Sequence, residues 1–120
     1  MKVLPFTLLI PDGKSMLSER VELPHFYQHM HHHNEYEIIW VEQGEGTLLV
    51  GNNMHSFRSG DIFLIGANVP HVFKSNPEYF TMKDRFKVKA CSLYFNLSGI
   101  LSGLFQLPEM HVLRSFLYQN

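Results

Sequence analysis

At 120 residues the chain has the length of one domain, enough for a single hydrophobic core and too short for two. Its 45% hydrophobic and 18% charged content excludes a disordered segment, and a formal net charge of -1 leaves no basic surplus for gripping phosphate backbones. The single cysteine, Cys91, excludes a disulfide framework and a cysteine-based zinc finger.

Residues 1–10 are apolar around Lys2 and superficially resemble a secretion signal. The stretch is too short for one, contains Pro5, and runs into Pro11-Asp12-Gly13 instead of a small-residue cleavage site. No stretch approaches the length of a membrane span, so no membrane partner is expected and the default setting is reducing and cytoplasmic. From there on, short β-rich runs dominate: 3–10, 21–26, 37–42, 47–50, 54–58, 62–65, 71–73 and a long one at 86–95. Turn residues punctuate them at Gly44-Glu45-Gly46, Gly51-Asn52-Asn53, Ser59-Gly60-Asp61 and Asn76-Pro77. About ten residues per strand is the spacing of an all-β antiparallel sandwich or barrel. In Ile38-Ile39-Trp40-Val41 the apolar residues do not alternate with polar ones, which predicts a strand buried on both faces, with Trp40 and Phe63 as core packing.

The end of the chain changes character. Residues 98–105 read as a short helix, and a second begins at Pro108, a favoured first-turn residue, with Glu109 suited to the helix dipole. Leu113, Phe116 and Leu117 form an apolar stripe at helical spacing. Such a helix packs on its own barrel, on a second copy, or leads into further chain.

The chemistry-bearing residues cluster in HMHHHNEYE, which contains His31-x-His33-x3-Glu37, with His71 about forty residues later. Three imidazoles and a carboxylate make a full set of ligands for Zn, Fe, Mn, Ni or Cu, and nothing in the sequence selects among these metals. His31 and His33 share a face if they lie on one strand. Four extended residues would carry Glu37 about 13 Å from His33, so the chain must turn at 34–36 and return Glu37 on the neighbouring strand, with Ile39 and Val41 inward beside it. Without a metal, the same four residues would hydrogen-bond a polar ligand. Phe73 shares parity with His71 and should face inward; Tyr94 joins it if Ala90, Ser92 and Tyr94 form the inner face of the last strand. His32 has the opposite parity, His29 reads as solvated, and His25, His55 and His111 read as surface or interface residues.

His31-x-His33-x3-Glu37-x6-Gly44 matches the first cupin motif without a gap. Gly60-x5-Gly66-x-Asn68-x2-His71 looks like the second, with Gly66 at the usual Pro position, Asn68 at the usual Gly position and Ser75 at the usual terminal Asn. More narrowly, HHHNEYEIIWVEQGEGTLLVG followed by GDIFLIGANVPH resembles the amino-terminal sensor domains of AraC-family transcriptional regulators, and LPEMHVLRSFLYQN resembles their segment between barrel and DNA-binding domain. The resemblance covers about residues 25–120. It implies a double-stranded β-helix (jelly-roll) barrel over residues 1–97 and a carboxy-terminal helical segment over 98–120 for dimerisation or linkage. It further implies a small polar effector, with a sugar as one candidate, bound by a pocket of His31, His33, Glu37, His71, Phe73 and Tyr94. DNA binding would reside in a helix-turn-helix domain outside this sequence. The competing expectation is a small metal-dependent cupin enzyme of dioxygenase or isomerase type, with the metal on His31, His33, Glu37 and His71. A sugar-binding or storage cupin without catalysis is a third.

Overall fold

A computed structural model describes residues 3–8, 10, 15–82, 84–97, 103 and 106–111. Among these residues nine strands run in chain order: β1 (Leu4–Pro5), β2 (Met16–Leu23), β3 (His31–His32), β4 (Tyr36–Gln43), β5 (Gly46–Val50), β6 (Asn53–Phe57), β7 (Ile62–Ile65), β8 (His71–Ser75) and β9 (Val88–Phe95). They form a five-stranded sheet in the order β1-β3-β8-β5-β6 and a four-stranded sheet in the order β2-β9-β4-β7. All pairings are antiparallel except β1 with β3. This is the expected all-β jelly roll, and its β5–β6 hairpin turns at Gly51-Asn52, one of the turns that glycine and asparagine mark.

The inner faces supply the core: Phe26, Ile39, Val41, Leu48, Phe57, Ile65, Phe73 and Val88 pack in one cluster between the sheets. Gly46 lets β5 and β8 close on each other, because a Cβ there would overlap the carbonyl oxygen of Lys74. Asn68 stands where the second motif usually has Gly and has φ 60°, a left-handed conformation that asparagine tolerates better than most side chains. Its backbone N–H donates to the carbonyl of His33 at 2.8 Å, which ties the turn before His71 to the first motif. Ser75, at the usual terminal Asn, accepts a hydrogen bond from the Phe26 amide at 3.0 Å. The departures from the motif therefore keep its backbone course.

Three expectations need correction. The strand expected over 21–26 runs over Met16–Leu23, pairing along its whole length with β9. Its Ser18-Glu19-Arg20 centre conceals it, since only one face of this edge strand meets the core. Of the described residues in the run expected over 3–10, only Leu4–Pro5 pairs. The expectation that β4 is buried on both faces also fails: Ile38 is 37% and Trp40 45% exposed, whereas Glu37, Ile39 and Val41 are buried. A two-sheet sandwich has one interior, so alternate residues of an unbroken apolar run must face outward. Phe63, by contrast, is half-buried and packs on the core beside Phe73.

A one-turn helix, α1 (Glu78–Thr81), follows Pro77 and buries Tyr79. A 3₁₀ turn covers Pro108–Met110, where the second terminal helix was expected to start. Most of the helix expected over 98–105, and the stripe of Leu113, Phe116 and Leu117, lie outside the described residues.

Candidate functional site

The site lies between the sheets, where the chain passes from β3 to β4. His31 is on β3 and pairs directly with His71 of β8. His33 follows β3, the chain bends at Asn34 and Glu35, and Glu37 enters on β4. The turn falls where it was expected, but Glu37 does not return on the strand beside the histidines. β3 already has β1 on one side and β8 on the other, so no edge is open to the returning strand. Glu37 instead arrives from the opposite sheet, facing the histidines across the interior.

The rings converge closely. Centroids of His31 and His71 are 4.4 Å apart, those of His33 and His71 5.0 Å, and those of His31 and His33 6.2 Å. One nitrogen from each lies within 4.8 Å of the others. Glu37 Oε1 is 3.1 Å from His33 Nε2 and 3.4 Å from His71 Nε2, while the Ser92 hydroxyl donates to Oε2 at 2.7 Å.

Backbone carbonyls set the tautomers. Nδ1 of His31 contacts the carbonyl of His29 at 2.9 Å, Nδ1 of His33 that of Glu35 at 2.9 Å, and Nδ1 of His71 that of Val69 at 2.8 Å. A carbonyl only accepts, so each Nδ1 carries the hydrogen, and in the neutral ring each Nε2 presents a lone pair. The second contact that normally orients a metal-ligating histidine is thus present three times over. Nε2 of the buried His71 has no hydrogen-bond partner among the described residues. Three Nε2 lone pairs with an adjacent carboxylate suit a divalent transition metal.

The electrostatics follow from the same contacts. Burial alone would raise the Glu37 carboxyl, but the hydrogen bonds it makes with His33 and Ser92 and the closeness of the His71 ring at 3.4 Å overcome it and hold the group down at about 2. Burial opposes charge on His33, yet its hydrogen bond to Glu37 and that carboxylate's charge leave the imidazole raised above its usual 6.5. His31, without such a bond, is lowered by burial, with the neighbouring His71 adding to the effect. Tyr94 is pushed up by burial and by the Glu37 charge, so it stays a neutral phenol.

These groups border a cavity of about 280 Å³. Its lining includes His31, His33, Glu37, His71, Phe73 and Tyr94, so all six residues singled out in the sequence reach one space. Ala90, Ser92 and Tyr94 do share the buried inner face of β9. The lining also takes Ile39 and Ser92, which strand parity places inward, and Phe6, Leu8, Glu19, Val21, Leu23, Phe26 and Tyr27, which the sequence reading left out. Ser92 was legible from its parity with Tyr94. Phe6 and Tyr27 had no local signal, because they arrive by tertiary packing: Phe6 stacks on His31 at 4.6 Å and tilts against Tyr27 at 5.2 Å. Of the remaining histidines, His29, His55 and His111 are exposed, His32 is half-buried, and His25 stacks on Phe80 at 4.4 Å.

Comparison with known proteins agrees with this arrangement. The family described as AraC-like ligand binding domain matches residues 17–114. A cupin protein from Bacteroides fragilis is similar in fold, at 12% identity and TM-score 0.58 over 72% of this chain and 70% of its own. A cupin 2 conserved barrel domain protein from Rhodopseudomonas palustris matches at 16% identity and TM-score 0.56, over 92% and 75%. Apo-HppE matches at 17% identity and TM-score 0.51, covering 68% of this chain and 42% of that one. No curated protein sequence matches as a relative. Among the described residues, no helix is long and apolar enough to cross a membrane.

Proposed function

This chain belongs to the family of AraC-like ligand-binding domains, and from that premise we propose that it is the sensor domain of a transcriptional regulator. In this reading a small molecule enters the space between the sheets and hydrogen-bonds the His31, His33, Glu37 and His71 end. Two copies pair through the carboxy-terminal segment over 98–120, and a DNA-binding domain outside this sequence reads the result. The barrel over 1–97 is the sensing unit. The observation that carries the proposal is the cavity: a 280 Å³ space between the sheets, bordered at one end by convergent polar groups. Leu97 and Met110 both pack against Phe95 of β9, so Met110 from the terminal segment lies against the barrel.

A panel of sugars, aromatic alcohols, amines and acids, screened by thermal shift, tests the sensing role. At a hundredfold excess over Kd a true ligand adds about 2.7 kcal/mol to stability. The shift should vanish in Val21→Phe, which fills the cavity. A panel that leaves Tm unmoved overturns the reading. Light scattering checks pairing separately, and a strict monomer at high concentration removes that part.

The three carbonyl-oriented imidazoles and the unpartnered His71 Nε2 support a second reading, a small metal-dependent enzyme of dioxygenase or isomerase type. His31, His33 and His71 would hold Zn, Fe, Mn, Ni or Cu, with Glu37 beside them, and the bound ion would supply a Lewis acid to polarise an oxygen ligand. The residues' own part is to fix ring orientation and exclude water. Protein that neither retains nor takes up any of these metals removes this reading and leaves the sensor intact.

A further inference from the structure

The cavity has two unlike ends, and the register of the strands puts them there. One step of two residues moves about 6.6 Å along a strand while keeping the same face. On β4 that step passes from Glu37 to Ile39, on β8 from His71 to Phe73, and on β2 from Glu19 to Val21. β9 makes the same change from Ser92 to Ala90, and the ladder pairs Glu19 with Ser92 and Val21 with Ala90. Four strands from both sheets therefore switch from polar to apolar along one direction of the interior, β4 one step before β9 and β2, since Ile39 lies opposite Ser92 and Val41 opposite Ala90. Beyond the switch, Phe26 and Phe73 lie 5.2 Å apart and offer ring faces and edges, with no polar side chain among them.

The charges in the lining are equally uneven. Among the described residues, two carboxylates, Glu19 and Glu37, border the space, and neither lysine nor arginine does. Arg20, next in sequence to Glu19, points away and pairs with Glu42 at 3.2 Å. An anionic ligand would meet like charge with no guanidinium or ammonium among the described lining residues to answer it. A sugar fares badly for another reason: hydroxyls around the whole ring would leave several against the apolar end, where they find no partner.

We infer that the cavity takes a compact aromatic or branched-aliphatic molecule, uncharged or cationic, with one hydrogen-bonding end directed at the histidine–glutamate cluster. This rests on the sensor reading above and narrows its ligand to a class. Size agrees: an apolar cavity of roughly 150 Å³ takes a benzene, so 280 Å³ suits one ring with a short polar arm.

Four probes of similar size separate the possibilities: benzyl alcohol, benzylamine, benzoate and D-ribose, titrated into chelator-treated protein by calorimetry. Benzyl alcohol or benzylamine should bind at least about tenfold more tightly than benzoate or ribose. In Glu19→Gln the gap between benzoate and benzyl alcohol should narrow about two- to fivefold. Benzoate or ribose binding as tightly as the alcohol and the amine overturns the ligand class. If Val21→Phe blocks that binding, the sensor reading survives the loss. Silence from all four at millimolar concentration also overturns the class, and the sensor reading then stands or falls by the broader thermal-shift panel. A gap unchanged in Glu19→Gln overturns the charge argument specifically.

Discussion

Strand β7 carries four apolar residues in a row, and its two faces meet opposite fates. Ile65 is 1% exposed and pairs with Glu37 at the polar end of the interior, while Ile62, three residues earlier, is 66% exposed and pairs with Trp40. The same division runs through β4, where Ile39 and Val41 are buried and Ile38 and Trp40 are not. Hydrophobicity alone does not distinguish these positions. What distinguishes them is whether an opposing sheet stands across from them, and among the described residues the outer face of the four-stranded sheet has no such partner. The inner face is where folding energy and candidate chemistry both concentrate; on the outer face, among the described residues, Phe95 is covered by Tyr36, Leu97 and Met110, while Ile38, Trp40, Ile62 and Leu64 are exposed.

The largest effect should come from the inside. Ile65→Ala should cost about 2–5 kcal/mol in urea denaturation, because the vacated volume cannot collapse between two sheets. Ile62→Ala on the same strand should stay within about 0.5 kcal/mol. Equal costs for the two would show that the outer face is covered after all.

Acid stability probes the inner face in a second way. The Glu37 carboxyl lies near 2 in the fold against 4.5 unperturbed, so its contribution is complete above 4.5 and is lost as pH falls from there toward 2. The loss should be on the order of 3 kcal/mol in chelator-treated protein and largely absent in Glu37→Gln. His33 runs the other way. Its raised value makes its contribution complete below 6.5 and lost as pH rises through the higher folded value. His31, lowered by burial, opposes it by losing stability as pH falls below 6.5, so the His33 part is read as the difference from His33→Gln: that difference should shrink as pH rises above 6.5, and a pH-independent difference would contradict the His33–Glu37 pairing.

Metal uptake sharpens the same region. If a divalent transition metal binds, His71→Ala should weaken it by at least about a hundredfold, whereas His29→Ala, at a position the structure leaves exposed, should change it less than about threefold. Isothermal titration with zinc and nickel measures both. The smallest effect belongs to the outside: Trp40→Ser should alter monomer stability by only about 0.5 kcal/mol. Light scattering on that variant reports whether the exposed face contributes to pairing.

Much of the site was readable because histidine spacing and strand parity are local properties. His31 and His33 on one side, the turn before Glu37, and the inward parity of Phe73 and Tyr94 all follow from a period of two. The second motif was harder, since its usual residues are replaced. Only the backbone shows Asn68 taking the left-handed conformation that a glycine would supply. β2 escaped because one polar strand edge looks like a loop until β9 lies beside it.

The sequence by itself determined the class of fold, the turns, and which side chains could meet a metal or a ligand, because these depend on alternation and on residues a few positions apart. Tertiary structure alone decided that Glu37 faces the histidines from the opposite sheet, that Trp40 looks outward, and that Phe6 and Tyr27 flank His31. It also decided that four strands change polarity along one direction and so make a two-ended cavity. The physical reason is the same in each case. Alternation says that a residue has a face, and only the packing of one sheet against another says what that face meets.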